Sequence, residues 1–277
     1  MSEPLLKVSH LSKRFDNFVA VDDVSFTLPS ARTLGIVGES GSGKTTLIRC
    51  VLRALQPSSG EVEFRGDDGW QRIDQLSDKA LVPLRREMQM IFQDPFASLN
   101  PRMTVGQILE EPLIIHRLGD KATRRRTVLE MLDRVQMPHS VLSRYPHAFS
   151  GGQRQRIGIA RALILKPSLV VCDESVSALD VSVQAQIINL LEDLQRDLGL
   201  TYIFVSHDLS VVRHICDDLL VMYHGKVVES GAVASIYAAP QQPYTRLLLS
   251  AIPSPDPDIA LAPLPRSTIA EQSSAGD

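Results

Sequence analysis

Aromatic residues make up only 5% of this 277-residue sequence, and tryptophan occurs once. So few ring faces leave little from which to build a base-stacking surface for single-stranded nucleic acid. Positive charge is not in surplus either: 29 Lys and Arg against 32 Asp and Glu give a formal net charge of -3. A global field for binding a phosphate backbone is therefore not expected. Cysteine is scarce. The three residues Cys50, Cys172 and Cys216 stand far apart without metal-ligand spacing, each in an apolar neighbourhood. They read as buried thiols of a reducing compartment rather than as a disulfide frame. No stretch approaches the roughly 18 apolar residues needed to cross a bilayer. The start, Met1-Ser2-Glu3-Pro4-Leu5-Leu6-Lys7, lacks the charged-then-apolar pattern of a signal peptide. Any work at a membrane is thus expected to pass through a partner protein. Internal repeats are also missing.

What remains is an ordinary globular composition, with 44% hydrophobic and 22% charged residues. The length allows one large domain or two modest ones. Short strands are expected at Leu5 to Val8, Ala20 to Leu28 and Thr33 to Val37, the last an apolar-rich run suited to a strand covered on both faces. A helical pattern then runs through Leu47, Val51 and Leu55 and closes at Pro57-Ser58-Ser59-Gly60. From Val105 to Arg144 the spacing is helical, and Arg124-Arg125-Arg126 reads as a solvated helix face. Buried strands return at Leu169 to Cys172 and Tyr202 to Val205, and Leu219 to Glu229 reads as strand, turn, strand about His224-Gly225. The tail beyond Pro253 is rich in Pro and Ser and is expected to be disordered.

Between the third strand and the first helix lies Gly38-Glu39-Ser40-Gly41-Ser42-Gly43-Lys44-Thr45, a match to the pattern G-x4-G-K-[ST]. Average residue usage makes this arise by accident in on the order of 1% of chains this long, and its strand-to-helix placement lowers that figure. Glycines let the backbone turn sharply and aim successive N–H groups at phosphate oxygens. The following helix presents its positive end to the anion. Lys44 is then placed to neutralise the β- and γ-phosphates and Thr45 to put its hydroxyl on Mg2+. Such a cradle needs a carboxylate at the end of a second buried strand. Leu169-Val170-Val171-Cys172 runs into Asp173-Glu174, with Asp173 read as holding Mg2+ and Glu174 as orienting or deprotonating the attacking water.

Ser150-Gly151-Gly152-Gln153 follows Phe149 and opens a helix-like run from Arg154 to Leu165. A serine and two glycines at a helix start form a second anion site. The motif resembles the L-S-G-G-Q signature of ABC ATPases, with Phe149 in place of Leu. Other elements of that family follow in order. Gln93 resembles the Q-loop glutamine, Ser177-Ala178-Leu179-Asp180 the D-loop and His207 the switch histidine, and Phe15 stands where the family places an aromatic on adenine. Glu174-Ser175-Val176 replaces the common Glu-Pro-Thr, which predicts a looser turn with the reaction itself unchanged.

The resemblance implies an α/β P-loop NTPase of ABC ATPase fold, with a RecA-like core, an antiparallel β subdomain and a helical insertion at about 95–165. On this basis residues 1–240 form the ATPase domain and 241–277 a C-terminal extension. It implies that ATP is met by Phe15, by Gly38, Glu39, Ser40, Gly41, Ser42, Gly43, Lys44, Thr45 and Thr46, and by Gln93, Asp180 and His207. Ser150, Gly151, Gly152 and Gln153 would reach the nucleotide of an opposing subunit. Mg2+ is implied at Thr45, Gln93 and Asp173, and catalysis by Lys44, Gln93, Glu174 and His207.

Two longer segments, Phe92 to Arg102 and Ala239 to Pro253, are similar to ATPases of oligopeptide and dipeptide importers, a group that includes nickel and glutathione importers. The resemblance thus implies a second ATPase subunit, identical or homologous, two membrane permeases and an extracytoplasmic binding protein. It places the chain on the cytoplasmic face of the inner membrane, touching the membrane only through the permeases. With no cysteine after Cys216, neither an iron–sulfur centre nor structural zinc is expected. Competing readings are a soluble ABC protein acting on nucleic acid or ribosomes, and an ATP-binding module without turnover.

Overall fold

The computed structural model describes residues 3–94 and 98–251. The expected disorder of the tail, and residues 95–97 of the importer-like segment, lie outside this range. The chain opens with an antiparallel hairpin, β1 (Pro4–Phe15) and β2 (Phe18–Pro29), then β3 (Thr33–Val37) and α1 (Lys44–Val51). A second hairpin, β4 (Ser59–Gly66) and β5 (Gly69–Arg72), precedes α2 (Asp78–Glu87) and β6 (Met88–Ile91). A helical stretch follows, with α3 (Val105–Ile115), α4 (Lys121–Arg134) and α5 (Gly151–Leu163). Strand and helix then alternate through β7 (Leu169–Asp173), α6 (Val181–Leu198), β8 (Thr201–Val205), α7 (Leu209–Ile215) and β9 (Asp218–Tyr223). The last elements are β10 (Lys226–Ala232), α8 (Val233–Ala238) and α9 (Pro243–Ser250).

Two sheets form. The first is antiparallel with order β2-β1-β4-β5, and the second has order β10-β9-β3-β8-β7-β6. Within the second every pairing is parallel except β9 with β10, which His224 and Gly225 join through a tight turn with both residues at positive φ. Strands β3, β7 and β8 are buried at every position. The two-residue period of β7 explains how this is achieved. Leu169 and Val171 face a core shared with α1 and the antiparallel sheet, whereas Val170 and Cys172 face a core shared with α3, α4, α5 and α6. The sheet is therefore sandwiched, which is why these strands are apolar throughout rather than alternating. The three cysteines are free and buried, as their neighbourhoods implied.

The helical stretch is organised by its caps. Thr104 with Gln107 forms a reciprocal capping box on α3, and the Asp120 carboxylate caps α4. Arg124 is half-buried and bonds Glu110 at 2.9 Å, tying α4 to α3. The arginine triplet is thus divided: only Arg125 and Arg126 keep to the solvated face expected for all three.

Two features differ from the sequence reading. The first helix ends at Val51 rather than Leu55, because Arg53 takes a left-handed backbone (φ 52) and the Leu55 N–H returns to the Arg49 carbonyl at 3.0 Å. Leu55 still packs on the same core, so apolar periodicity alone did not register the stop. The closing turn at Ser59-Gly60 is instead the start of β4, and the whole β4–β5 hairpin and α2 went unread.

Candidate functional site

The Gly38–Thr45 loop leaves the buried end of β3 and enters α1. Gly38 is glycine of necessity, because a Cβ there would sit 2.2 Å from the Met222 carbonyl oxygen. At Gly43, the residue that precedes α1, a Cβ would lie equally close to the Ala20 carbonyl oxygen. Gly43 has a left-handed backbone (φ 100), and no side chain caps α1. The Ser42 hydroxyl is buried without a hydrogen-bond partner. Lys44 is buried, and its Nζ donates to the Gly38 and Glu39 carbonyls at 2.7 and 2.8 Å. Burial lowers the Lys44 pKa, opposed by the carboxylates of Glu174, Asp173 and Glu39. Uncapped helix N–H groups, an unpartnered hydroxyl and a recessed ammonium together suit a polyphosphate.

A carboxylate cluster faces this loop. Asp173 ends β7 and is 7% exposed, and its Oδ1 lies 3.4 Å from the Thr45 hydroxyl. Burial raises the Asp173 pKa and the neighbouring Glu174 raises it further, against the Thr45 hydroxyl, Arg49 and Lys44. Glu174 follows in a left-handed backbone (φ 45), a strained geometry for a non-glycine residue, held by its N–H to the Val205 carbonyl at 2.9 Å. Its carboxylate accepts from Gln93 Nε2 at 2.8 Å and lies 3.5 Å from His207 Nδ1. The structure therefore joins Lys44, Thr45, Gln93, Asp173, Glu174 and His207 from four separate chain segments. Such a group has a cation, hard oxygen ligands and a carboxylate base within reach of one another.

A family model described as "ABC transporter" matches residues 21–177, more than half of the chain. The chain belongs to the ABC transporter family. A second model, "Oligopeptide/dipeptide transporter, C-terminal region", matches residues 228–276 of this ABC ATPase. The oligopeptide transport ATP-binding protein OppF of Bacillus subtilis is 51% identical over 263 residues, which cover 93% of this chain and 85% of that one. Among solved structures, cbiO1 of Clostridium perfringens, part of the ABC transporter complex cbiONQ, superposes with a TM-score of 0.77 at 29% identity, covering 86% of this chain and 92% of that one. A dimeric ATP-binding cassette in a post-hydrolysis state, bound to ADP and Pi, gives a TM-score of 0.72 at 28% identity, covering 83% of this chain and 99% of that one. The chain is accordingly a nucleotide-binding ATPase with the ABC ATPase fold.

The remaining expected residues of the ABC ATPase lie elsewhere. Ser150 caps α5: its hydroxyl accepts from the Gln153 N–H at 3.4 Å, and Gln153 Oε1 accepts from the Ser150 N–H at 3.1 Å. A Cβ on Gly152 would stand 2.5 Å from Val183 Cγ1, and one on Gly151 would stand 3.4 Å from Leu179 Cδ2. The signature turn is thus seated on the start of α6, which Asp180 caps through the Val183 N–H at 2.9 Å. That bond and the Ser182 hydroxyl hold the Asp180 pKa low. No hydrogen bond joins the signature turn to the Lys44 cluster among the described residues. Phe15 is 44% exposed at the tip of the β1–β2 hairpin, paired across it with Phe18, with Lys13 Nζ 5.0 Å from its ring centroid. Ser40 and Gly41 are exposed and Thr46 half-buried. After Glu174, Ser175 and Val176 are each 2% exposed, and the Ser177 N–H closes the turn onto the Glu174 carbonyl at 3.1 Å.

Two contacts on the back of the phosphate loop were not read from sequence. The Gly225 N–H donates to the Ser42 carbonyl at 3.1 Å. The Glu39 N–H donates to the Tyr244 hydroxyl at 3.0 Å, across 205 residues of chain. Tyr244 lies inside the importer-like segment, but nothing in linear order ties it to the loop.

Proposed function

We propose that this ATPase drives a peptide importer, binding Mg–ATP at Gly38–Thr46 and hydrolysing it at Glu174. The observation that carries the catalytic part is the position of the Glu174 carboxylate, bonded to Gln93, beside His207, and next to Asp173 on a strand end facing the loop. A bound Mg–ATP supplies the phosphoanhydride bond and a cation that offsets phosphate charge. Thr45, Asp173 and Gln93 would hold the cation through oxygen ligands, a fit to the hard donors present. Lys44 neutralises the β- and γ-phosphates. Glu174 takes the proton of the attacking water while Gln93 and His207 orient its carboxylate. Phe15 offers a ring face to the adenine.

Residues 1–240 act as the ATPase domain, with the insertion at about 95–165, and residues 241–277 as a C-terminal extension. Ser150, Gly151, Gly152, Gln153 and Asp180 serve a second ATPase subunit, identical or homologous, whose nucleotide they help to enclose. Two permeases and an extracytoplasmic binding protein complete the machine. The chain sits peripherally on the cytoplasmic face of the membrane and touches it only through the permeases. An exposed apolar patch supports the permease contact: Ile114 and Ile115, 53% and 66% exposed, lie with Met103, Gln107, Glu110 and Glu111 around a depression of about 410 Å³. No helix among the described residues is long and apolar enough to cross a membrane. Import of di- or oligopeptides is supported by the C-terminal match and by the name of the OppF relative.

The test is ATP hydrolysis by the chain in membranes with its permeases, with and without a peptide-loaded binding protein. Stimulation by peptide upholds the reading. Turnover that ignores peptide but responds to loaded nickel- or glutathione-binding proteins reassigns the cargo, and turnover indifferent to any permease removes the importer.

A further inference from the structure

One peptide unit of the phosphate loop is held from both sides. Its carbonyl, that of Gly38, accepts from Lys44 Nζ at 2.7 Å, and its N–H, that of Glu39, donates to the Tyr244 hydroxyl at 3.0 Å. Gly38 has a positive φ (149) and carries no Cβ, so the following peptide plane has little local resistance to rotation. An ammonium has three hydrogens. Two of those on Lys44 go to the Gly38 and Glu39 carbonyls, which leaves one to aim at a phosphate. Rotation of the Gly38–Glu39 peptide would withdraw one of the two carbonyls that set that aim.

Tyr244 is itself firmly placed. Its ring packs on Tyr223 with centroids 4.3 Å apart. The helix that carries it, α9, starts under the Glu229 carboxylate, which accepts from the Gln241 and Gln242 N–H groups at 2.8 and 3.0 Å. Glu229 belongs to β10, so α9 is clamped to the same sheet from which the phosphate loop springs. Burial raises the Tyr244 pKa against the lowering effect of the Glu39 N–H, so the hydroxyl stays neutral.

We infer that Tyr244 is a positioning residue for nucleotide binding, by which the C-terminal extension locks the Gly38–Glu39 peptide and so fixes the aim of Lys44. The inference rests on the Mg–ATP site proposed above. It gives the segment matched as the oligopeptide/dipeptide transporter C-terminal region a task inside the ATPase itself.

The test is Tyr244→Phe in the full chain, which keeps the ring against Tyr223 and deletes only the hydroxyl. Losing one backbone hydrogen bond that pre-organises the loop should raise the ATP KM about threefold to tenfold, with kcat within about twofold, since the Lys44 charge that meets the transition state stays in place. The Kd of a fluorescent ATP analogue should rise in parallel, and the nucleotide-free melting temperature should stay put. An unchanged KM and Kd overturns the lock and leaves Tyr244 a helix-docking residue. Lys44→Ala measured alongside separates the two readings: analogue binding unaffected by that change sinks the nucleotide site itself.

Discussion

Helices α1 and α5 both begin on glycine-rich turns, yet their first turns are satisfied in opposite ways. At α1, Gly43 supplies no cap and the Ser42 hydroxyl is buried without a partner. At α5, Ser150 and Gln153 cap one another reciprocally. A helix start leaves several N–H groups without intrahelical partners, and a folded chain ordinarily provides substitutes. The α5 start is finished within the chain, and its glycines are used for close packing on Val183 and Leu179. The α1 start has no side-chain cap from the chain itself, as the proposed phosphate site requires. Two motifs that look alike in composition therefore differ in their first turns: one is left without a side-chain cap, the other is already closed by its own residues.

The sharpest way to test this contrast is at the carboxylate that faces α1. Glu174→Gln should lower ATP turnover about 100- to 10,000-fold, the usual worth of a positioned base, while the variant still binds ATP. Near-normal hydrolysis would remove Glu174 from its role. Next comes Lys44→Ala, expected to cost about 100- to 1,000-fold in turnover, in line with losing a charge aimed at the transition state, with weakened nucleotide binding by the isolated chain. Ser150→Ala should behave differently. Loss of a helix cap of about 1 kcal/mol lowers the melting temperature by about 2–4 °C, and nucleotide binding by the isolated chain should be unchanged. A fall in its ATP affinity to match Lys44→Ala would erase the distinction between the two helix starts.

The smallest effect concerns Asp173. Its folded pKa is raised by burial and by Glu174, so the nucleotide-free fold holds this proton more firmly than the unfolded chain does. That contribution is present at low pH and is lost as pH rises through the raised value. Asp173→Asn should therefore melt about 2 °C higher than the parent at neutral pH without nucleotide. The gap should close in acid, where both carboxyls are protonated. A gap that widens in acid would show that Asp173 is held as a stabilised anion instead.

Local pattern carried a good deal of this structure. Uninterrupted apolar runs located β3, β7 and β8 to within a residue or two, because a strand buried on both faces has no polar side to break the run. The α1 end and the β4–β5 hairpin escaped for a shared reason. Arg53 takes a left-handed backbone that its residue type does not announce, and Ser59-Gly60, read as a stop, instead opens a strand pairing with β1. Hydrogen bonds to distant parts of the chain accompany both outcomes: the Arg53 guanidinium donates to the Ile73 and Leu76 carbonyls, and β4 pairs with β1.

By itself the sequence determined the chemistry: which residues can cradle a phosphate, which carboxylates can serve a cation or a water, and in what order they come. Those properties are local, set by side-chain type and by the backbone freedom of glycine. Only the tertiary structure decided which of them meet. It turned Glu174 toward Gln93 and His207 through a strained backbone, seated Gly152 against Val183, and brought the Tyr244 hydroxyl onto the Glu39 N–H. Such contacts depend on how sheets and helices stack across long spans of chain, and a pattern read along the chain does not measure distance through it.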